Sequence, residues 1–152
     1  MKRKGCGLTL LIATLLLGAC GIKGGAAKTP PPTVDQILAS SLSATDYGKP
    51  DRCLQTSEYN RIEVLDKKHL LFEGRGGKFW LNTLRNDCPG LRKGAVLQLD
   101  LTTSRACNLD TVTAIETRWH TIDKISATCS LSEFVPIPKE QAEFLKNEIH
   151  GK

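Results

Sequence analysis

Four cysteines, three histidines and two tryptophans carry most of the chemistry that the body of this chain can offer. Cys53, Cys88, Cys107 and Cys129 are widely spaced, the closest pair being 107 − 88 = 19 residues apart, so neither a zinc knuckle nor a redox C-x-x-C pair is present. His69, His120 and His150 are scattered in the same way, and a lone histidine is ordinarily surface or packing material. The chain has no H-E-x-x-H, no G-x-S-x-G and no Gly-rich phosphate loop before a helix. An enzyme would therefore have to assemble its site from distant side chains, with His120 and Asp123 as the candidate pair. Arg75-Gly76-Gly77-Lys78 resembles a phosphate cradle only superficially, since two adjacent glycines between strands serve a hairpin turn. Trp80 and Trp119 are the candidate ligand face, because an indole pairs a large apolar surface with one donor; packing is the competing use of both. Asp66 and Asp110 fit turn and strand-entry capping. No catalytic residue, metal ligand or cofactor is expected.

The elements that deliver and hold these residues begin with an export signal. Lys2, Arg3 and Lys4 precede an uncharged run from Leu8 to Leu17, the n-region and h-region of such a signal. A spanning helix needs about 20 apolar residues, and this run is roughly half that before Gly18, so it is too short to remain as an anchor. Leu17-Gly18-Ala19-Cys20 resembles the lipobox of bacterial lipoproteins. That resemblance implies cleavage after residue 19 and acylation of Cys20 as the mature N-terminus. It also implies a membrane anchor of several acyl chains, which at ~0.8 kcal/mol per buried methylene is effectively permanent. Cys6 has no apolar run before it and leaves with the signal. By the usual sorting rule, Gly21 in place of Asp after the lipidated cysteine points to the outer membrane of a Gram-negative cell, facing the periplasm.

Removing residues 1–19 takes away three cations and no acid, so 21 basic and 16 acidic residues become 18 and 16. The mature chain is nearly neutral, which argues against nucleic acid as a partner. Arg85, Arg92 and Lys93 flank one loop, where a solvated surface explains them better than a phosphate or headgroup patch. In an oxidising compartment the four remaining cysteines predict two disulfides, and aromatics at only 5% of the chain leave a modest core for those bridges to support.

Residues 20–33, rich in Gly, Ala, Lys and Pro, read as a flexible tether. Residues 34–45 read as a short helix, started by the capping box Thr33-Val34-Asp35-Gln36 and striped by Ile37, Leu38 and Leu42. The disulfide-stapled domain occupies residues 50–150. Its clearest strand is 97–102, where three leucines alternate with polar residues; 62–65, 70–73, 78–84 and 111–117 are weaker versions. Asp66-Lys67-Lys68 and Gly74-Arg75-Gly76-Gly77 serve as hairpin turns and predict an antiparallel meander. A last strand, 129–135, places Leu131 and Val135 inward, with Pro136 and Pro138 ending it, and residues 139–149 close the chain as a helix striped by Ala142, Leu145 and Ile149. The fold class is thus α+β and β-dominated: a small antiparallel sheet, meander or partly open barrel, with a short N-terminal and a C-terminal helix and two disulfides. Alternating strand ends favour Cys53 with Cys107 and Cys88 with Cys129, the other two connectivities staying open.

Leu81-Asn82-Thr83-Leu84, followed by Cys88-Pro89-Gly90-Leu91 and Cys129-Ser130-Leu131, resembles a family of small, uncharacterised proteobacterial exported proteins and lipoproteins, over residues 50–145. The resemblance implies a shared β-rich fold and carries no activity. The functional expectation is a non-enzymatic envelope module that binds a protein, glycan or lipid from its sheet face. Two other classes stand beside it: an inhibitor of a periplasmic hydrolase acting through the loop 85–93, and an enzyme built around His120 and Asp123.

Overall fold

The structure is a computed structural model that describes residues 32–41 and 47–150. The expected signal at 1–19, the expected tether up to residue 31, including Cys20, and the end of the expected first helix at 42–45 lie outside the described residues. Helix α1, Val34–Ser41, starts on the predicted capping box: the Gln36 backbone N–H donates to Thr33 Oγ1 at 3.3 Å, and the Thr33 N–H to Gln36 Oε1 at 2.9 Å. Helix α2, Lys139–His150, begins where the Ala142 N–H reaches the Pro138 carbonyl at 3.1 Å.

Among the described residues, ten strands lie between the helices. Strands β2 (Tyr59–Val64), β3 (His69–Gly74) and β4 (Phe79–Thr83) form the expected antiparallel meander, joined by Asp66-Lys67-Lys68 and by a 3-10 turn at Arg75–Gly77 in which Gly76 and Gly77 hold φ values of 71° and 75°. The chain then leaves that sheet. Strand β5 (Val96–Asp100) pairs with β7 (Thr111–Arg118), which also pairs with β8 (Thr121–Lys124) and β9 (Cys129–Ser130). Two short strands, β1 (Cys53–Gln55) and β6 (Arg105–Cys107), make a separate ribbon, and β10 (Phe134–Ile137) returns to the outer side of β4. The meander thus gives way to a second sheet instead of gaining a fourth consecutive strand beside β4, where β10 lies.

The expected strand 129–135 is corrected most. It splits between the two sheets, because buried Asn82 grips the crossover: its Nδ2 donates to the Ser132 carbonyl at 2.7 Å and its Oδ1 accepts the Ser132 N–H at 3.2 Å. Leu131 fills the core between the sheets, whereas Val135 packs under the helices. Pro136 sits inside β10 and does not end it. The neighbouring groups of β10 explain why: the Pro136 carbonyl accepts the Gly48 N–H at 3.1 Å, and Phe134 exchanges bonds with Asp51, so residues 134 and 136 face away from β4 and the missing proline N–H leaves no ladder bond unmade.

Two cores result. Val64, Leu70, Phe72, Trp80 and Phe134 of the first sheet meet Val112 and Ala114 of the second. Leu71, Phe79 and Leu81, on the opposite face of the first sheet, lie beneath Val34 and Ile37 of α1 and Ala142 and Leu145 of α2. Covered on both sides, β3 and the start of β4 read as near-continuous apolar runs rather than as an alternation. Disulfides join Cys53 to Cys107, which are directly opposed in the β1–β6 ribbon, and Cys88, in the loop after β4, to Cys129 at the head of β9.

Candidate binding surface

The first sheet runs β10-β4-β3-β2 and the second begins at β5, so among the described residues β2 and β5 each present an edge with no strand beside it. The hydrogen-bond alternation fixes which groups those edges expose. The Leu65 N–H bonds the His69 carbonyl at 3.0 Å, extending the ladder in which Glu63 opposes Leu71; Ile62 and Val64 therefore turn their backbone groups away from β3, and of the two only Ile62 is open to solvent, Val64 being buried. On β7, Ala114 sends its N–H to Ser126 Oγ at 2.7 Å and its carbonyl to the Ile125 N–H at 2.9 Å, both away from β5. Thr113 and Ile115 thus serve β5, opposite Gln98 and Val96, and Leu97 and Leu99 point their backbone groups outward.

These two edges face each other across a seam. One cleft of about 350 Å³ lies between residues 59–62 and 95–97, and an adjoining one of about 420 Å³ between 61–64 and 93–95. As β2 advances, the facing chain runs backward, so the edges are antiparallel. Ile62, Ala95 and Leu97 form a floor packed against the first core, and Leu99, further along β5, packs against the same core. Arg61 and Lys93 stand exposed on the rim, the Lys93 ammonium donating to the Ile149 carbonyl at 2.8 Å. At one end Tyr59 packs edge-on to Phe72, and burial, with the Asp110 charge second, raises its phenol above the ordinary value of 10.0, so it remains an O–H donor at neutral pH.

The two candidate tryptophans separate. Trp80 is 6% exposed inside the first core and presents no ligand face, a correction that follows from its strand being covered on both sides. Trp119 is 95% exposed at the tip of the β7–β8 hairpin. Trp119 and His120 are its two turn residues, with φ of 48° and 89°, a conformation in which glycine and asparagine are far more common. His120 and Asp123 both stand on this exposed hairpin, and neither lines the clefts of the seam.

His69 is buried and belongs to a different place, the start of β3 under α1. Its Nδ1 lies 3.0 Å from both Asp66 carboxylate oxygens, and its Nε2 is 3.4 Å from Asp35 Oδ1. Asp66 also caps its own turn, accepting the Lys68 and His69 N–H groups at 2.7 and 2.8 Å, as expected of a turn aspartate. Burial pushes its carboxyl up, but bonds from the His69 ring and these two N–H groups, with the attraction of His69, outweigh it and hold the group below the usual 3.8. Asp110 accepts the Cys107 N–H at 2.7 Å beside the start of β7. His150 ends α2.

The loop 85–93 is pinned, with Cys88 in a disulfide, Leu91 buried, and the Arg85 N–H on the Ser130 carbonyl at 3.2 Å. Cys88-Pro89-Gly90-Leu91 is a turn closed by the Leu91 N–H on the Cys88 carbonyl at 3.1 Å, with Gly90 at φ 82°. The open edges and Asn82 had no local signal in the sequence, since both depend on which strands meet. Among the described residues no cluster of three metal-ligating side chains occurs, and no helix is long and apolar enough to cross a membrane.

A family model described as a family of unknown function (DUF6491) matches residues 3–148. No curated protein matches the chain, and no solved structure does.

Proposed function

We propose, for a chain that belongs to the DUF6491 family of unknown function, a role as a membrane-anchored, non-enzymatic binding module of the cell envelope. Its anchor is the acylated Cys20 of an outer-membrane lipoprotein facing the periplasm, and its docking site is the seam between β2 and β5. The observation that carries this reading is the pair of antiparallel edges, without a neighbouring strand among the described residues, that offer the backbone of Ile62, Leu97 and Leu99 beside an apolar floor. Sheet faces are a poorer site, since the first sheet is covered by helices on one side and by the second sheet on the other.

An extended peptide strand is the partner whose chemistry fits. Three residues supply one donor and one acceptor each, and six bonds at a net ~1 kcal/mol offset part of the ~1–2 kcal/mol per residue of ordering a six-residue peptide. Side chains must then decide affinity. Alternate residues would face Ile62 and Leu97, and the intervening ones would meet Arg61, Glu63 and Lys93, whose charges leave an excess of one cation that favours a strand alternating apolar and acidic residues. The chain's own tether suits the seam badly: residues 20–33 hold Lys23, Lys28 and no acid.

Selection of displayed random seven-residue peptides on the full mature chain tests the proposal. Alternating apolar and acidic sequences should be enriched, and the double variant Arg61→Glu with Lys93→Glu should instead select basic ones. No enrichment, or one indifferent to that reversal, would overturn the seam as a docking site; saturable self-association that blocks selection would reassign it to a second copy of this chain.

A further inference from the structure

The β7–β8 hairpin extends past its sheet as a finger. From residue 117 to 124 every residue is exposed, and the end of the finger is an indole. Holding two consecutive non-glycine residues at positive φ costs on the order of 1 kcal/mol or more each, and the fold uses that conformation to hold a tryptophan 95% in water. Ile122, 65% exposed, adds a second apolar side chain close behind the tip.

We propose that this finger rests in the interface of the bilayer that the lipid anchor holds nearby, with Trp119 as its contact; the inference rests on the anchored reading above. Size favours a bilayer over a protein pocket. One indole offers about 200 Å², far below the ~1,200 Å² of a specific protein interface, whereas a membrane interface accepts a single tryptophan. Local polarity agrees. The Arg118 carbonyl at the turn is satisfied by Thr121 Oγ1 at 2.8 Å, and the Arg118 guanidinium is paired with Glu116 at 2.7 Å, so neither enters a low-dielectric zone unpartnered. Glu116, Arg118, Asp123 and Lys124 sum to zero, so binding should not require anionic lipid.

A finger of this kind is weak alone and effective when tethered. Half an indole leaving water is worth a factor of about 50 to 100 in partitioning, which the high local concentration of an anchored domain turns into a fixed orientation. That orientation decides whether the seam looks along the membrane or away from it.

The test couples the full mature chain through the thiol of Cys20, the one cysteine left outside the two disulfides, to phosphatidylcholine vesicles bearing a maleimide lipid and brominated acyl chains. Chemical coupling makes the result independent of whether cells acylate Cys20. Bromine should quench the Trp119 emission of a Trp80→Phe variant, and Trp119→Ala should leave only the unquenched signal of buried Trp80. An unquenched Trp119 in the coupled chain would overturn the proposal, and a Trp119 that photocrosslinks to protein but not to lipid in cells would turn the finger into a protein contact.

Discussion

Replacing Gly90 by alanine is expected to destabilise the domain by about 3–6 kcal/mol, and the structure separates that figure into parts. Gly90 has φ 82°, where a Cβ costs roughly 1–2 kcal/mol by itself. The new Cβ would lie 2.3 Å from the Ile125 carbonyl oxygen and 2.9 Å from Ser126 Cα. Both are backbone atoms that cannot rotate aside, so the segment between β8 and β9 must move. Overpacking of this kind adds about 1–3 kcal/mol. Movement would also strain the 2.9 Å bond from the Ala127 N–H to the Pro89 carbonyl, a net ~1 kcal/mol. Gly94 is the internal control: its φ is 73°, yet nothing lies within 4 Å of its Cβ position, so Gly94→Ala should lose only the ~1–2 kcal/mol of backbone strain. Urea denaturation of the oxidised protein measures both. For a domain of this size each kcal/mol lowers Tm by about 4–8 °C, so thermal melts resolve the difference. Equal losses for the two variants would refute the reasoning, because only the clash distinguishes them.

Asn82→Ala should cost about 2–4 kcal/mol and speed amide exchange through β10 before the rest of the sheet, since it strands the Ser132 N–H and carbonyl at the crossover. The Asp66 carboxyl, held below its ordinary 3.8, contributes stability that is fully present above about pH 4 and lost as pH falls through its depressed folded value. Asp66→Asn should therefore flatten the acid limb of a stability-versus-pH curve while leaving most of the turn intact. Cys20→Ser should leave the N-terminus unacylated, read by mass spectrometry of the protein from cells; a fatty acid still present would place the anchor elsewhere.

What the sequence made legible was local. The capping box at Thr33 and Gln36, the glycine turn at residues 74–77, the strand periodicity around Leu97 and Leu99 and the closing helix are each written within about ten residues, and each stands where the pattern puts it. The cysteine pairing was also favoured correctly, although the single meander behind it was not: Cys53 and Cys107 meet because β1 and β6 are paired to each other, a contact between three-residue strands too short to show a period. The second sheet, the split of 129–135 and the seam stayed hidden for one reason. They arise from pairing between distant segments, and Asn82, polar in a run of apolar residues, declares its role only when residues 132 and 133 come to lie against it. Trp80 and Trp119 look alike in sequence and end at 6% and 95% exposure, because one lies on a strand covered on both faces and the other at a turn beyond the sheet.

Hydrogen exchange of the Ile62, Leu97 and Leu99 amides, compared between protein kept in native envelopes and the same protein purified, tests the docking seam most directly. The account predicts that these three are slowed in the envelope while the β3 amides, already paired on both sides, keep the same rates. Equal exchange at the three edge amides in both settings would contradict it.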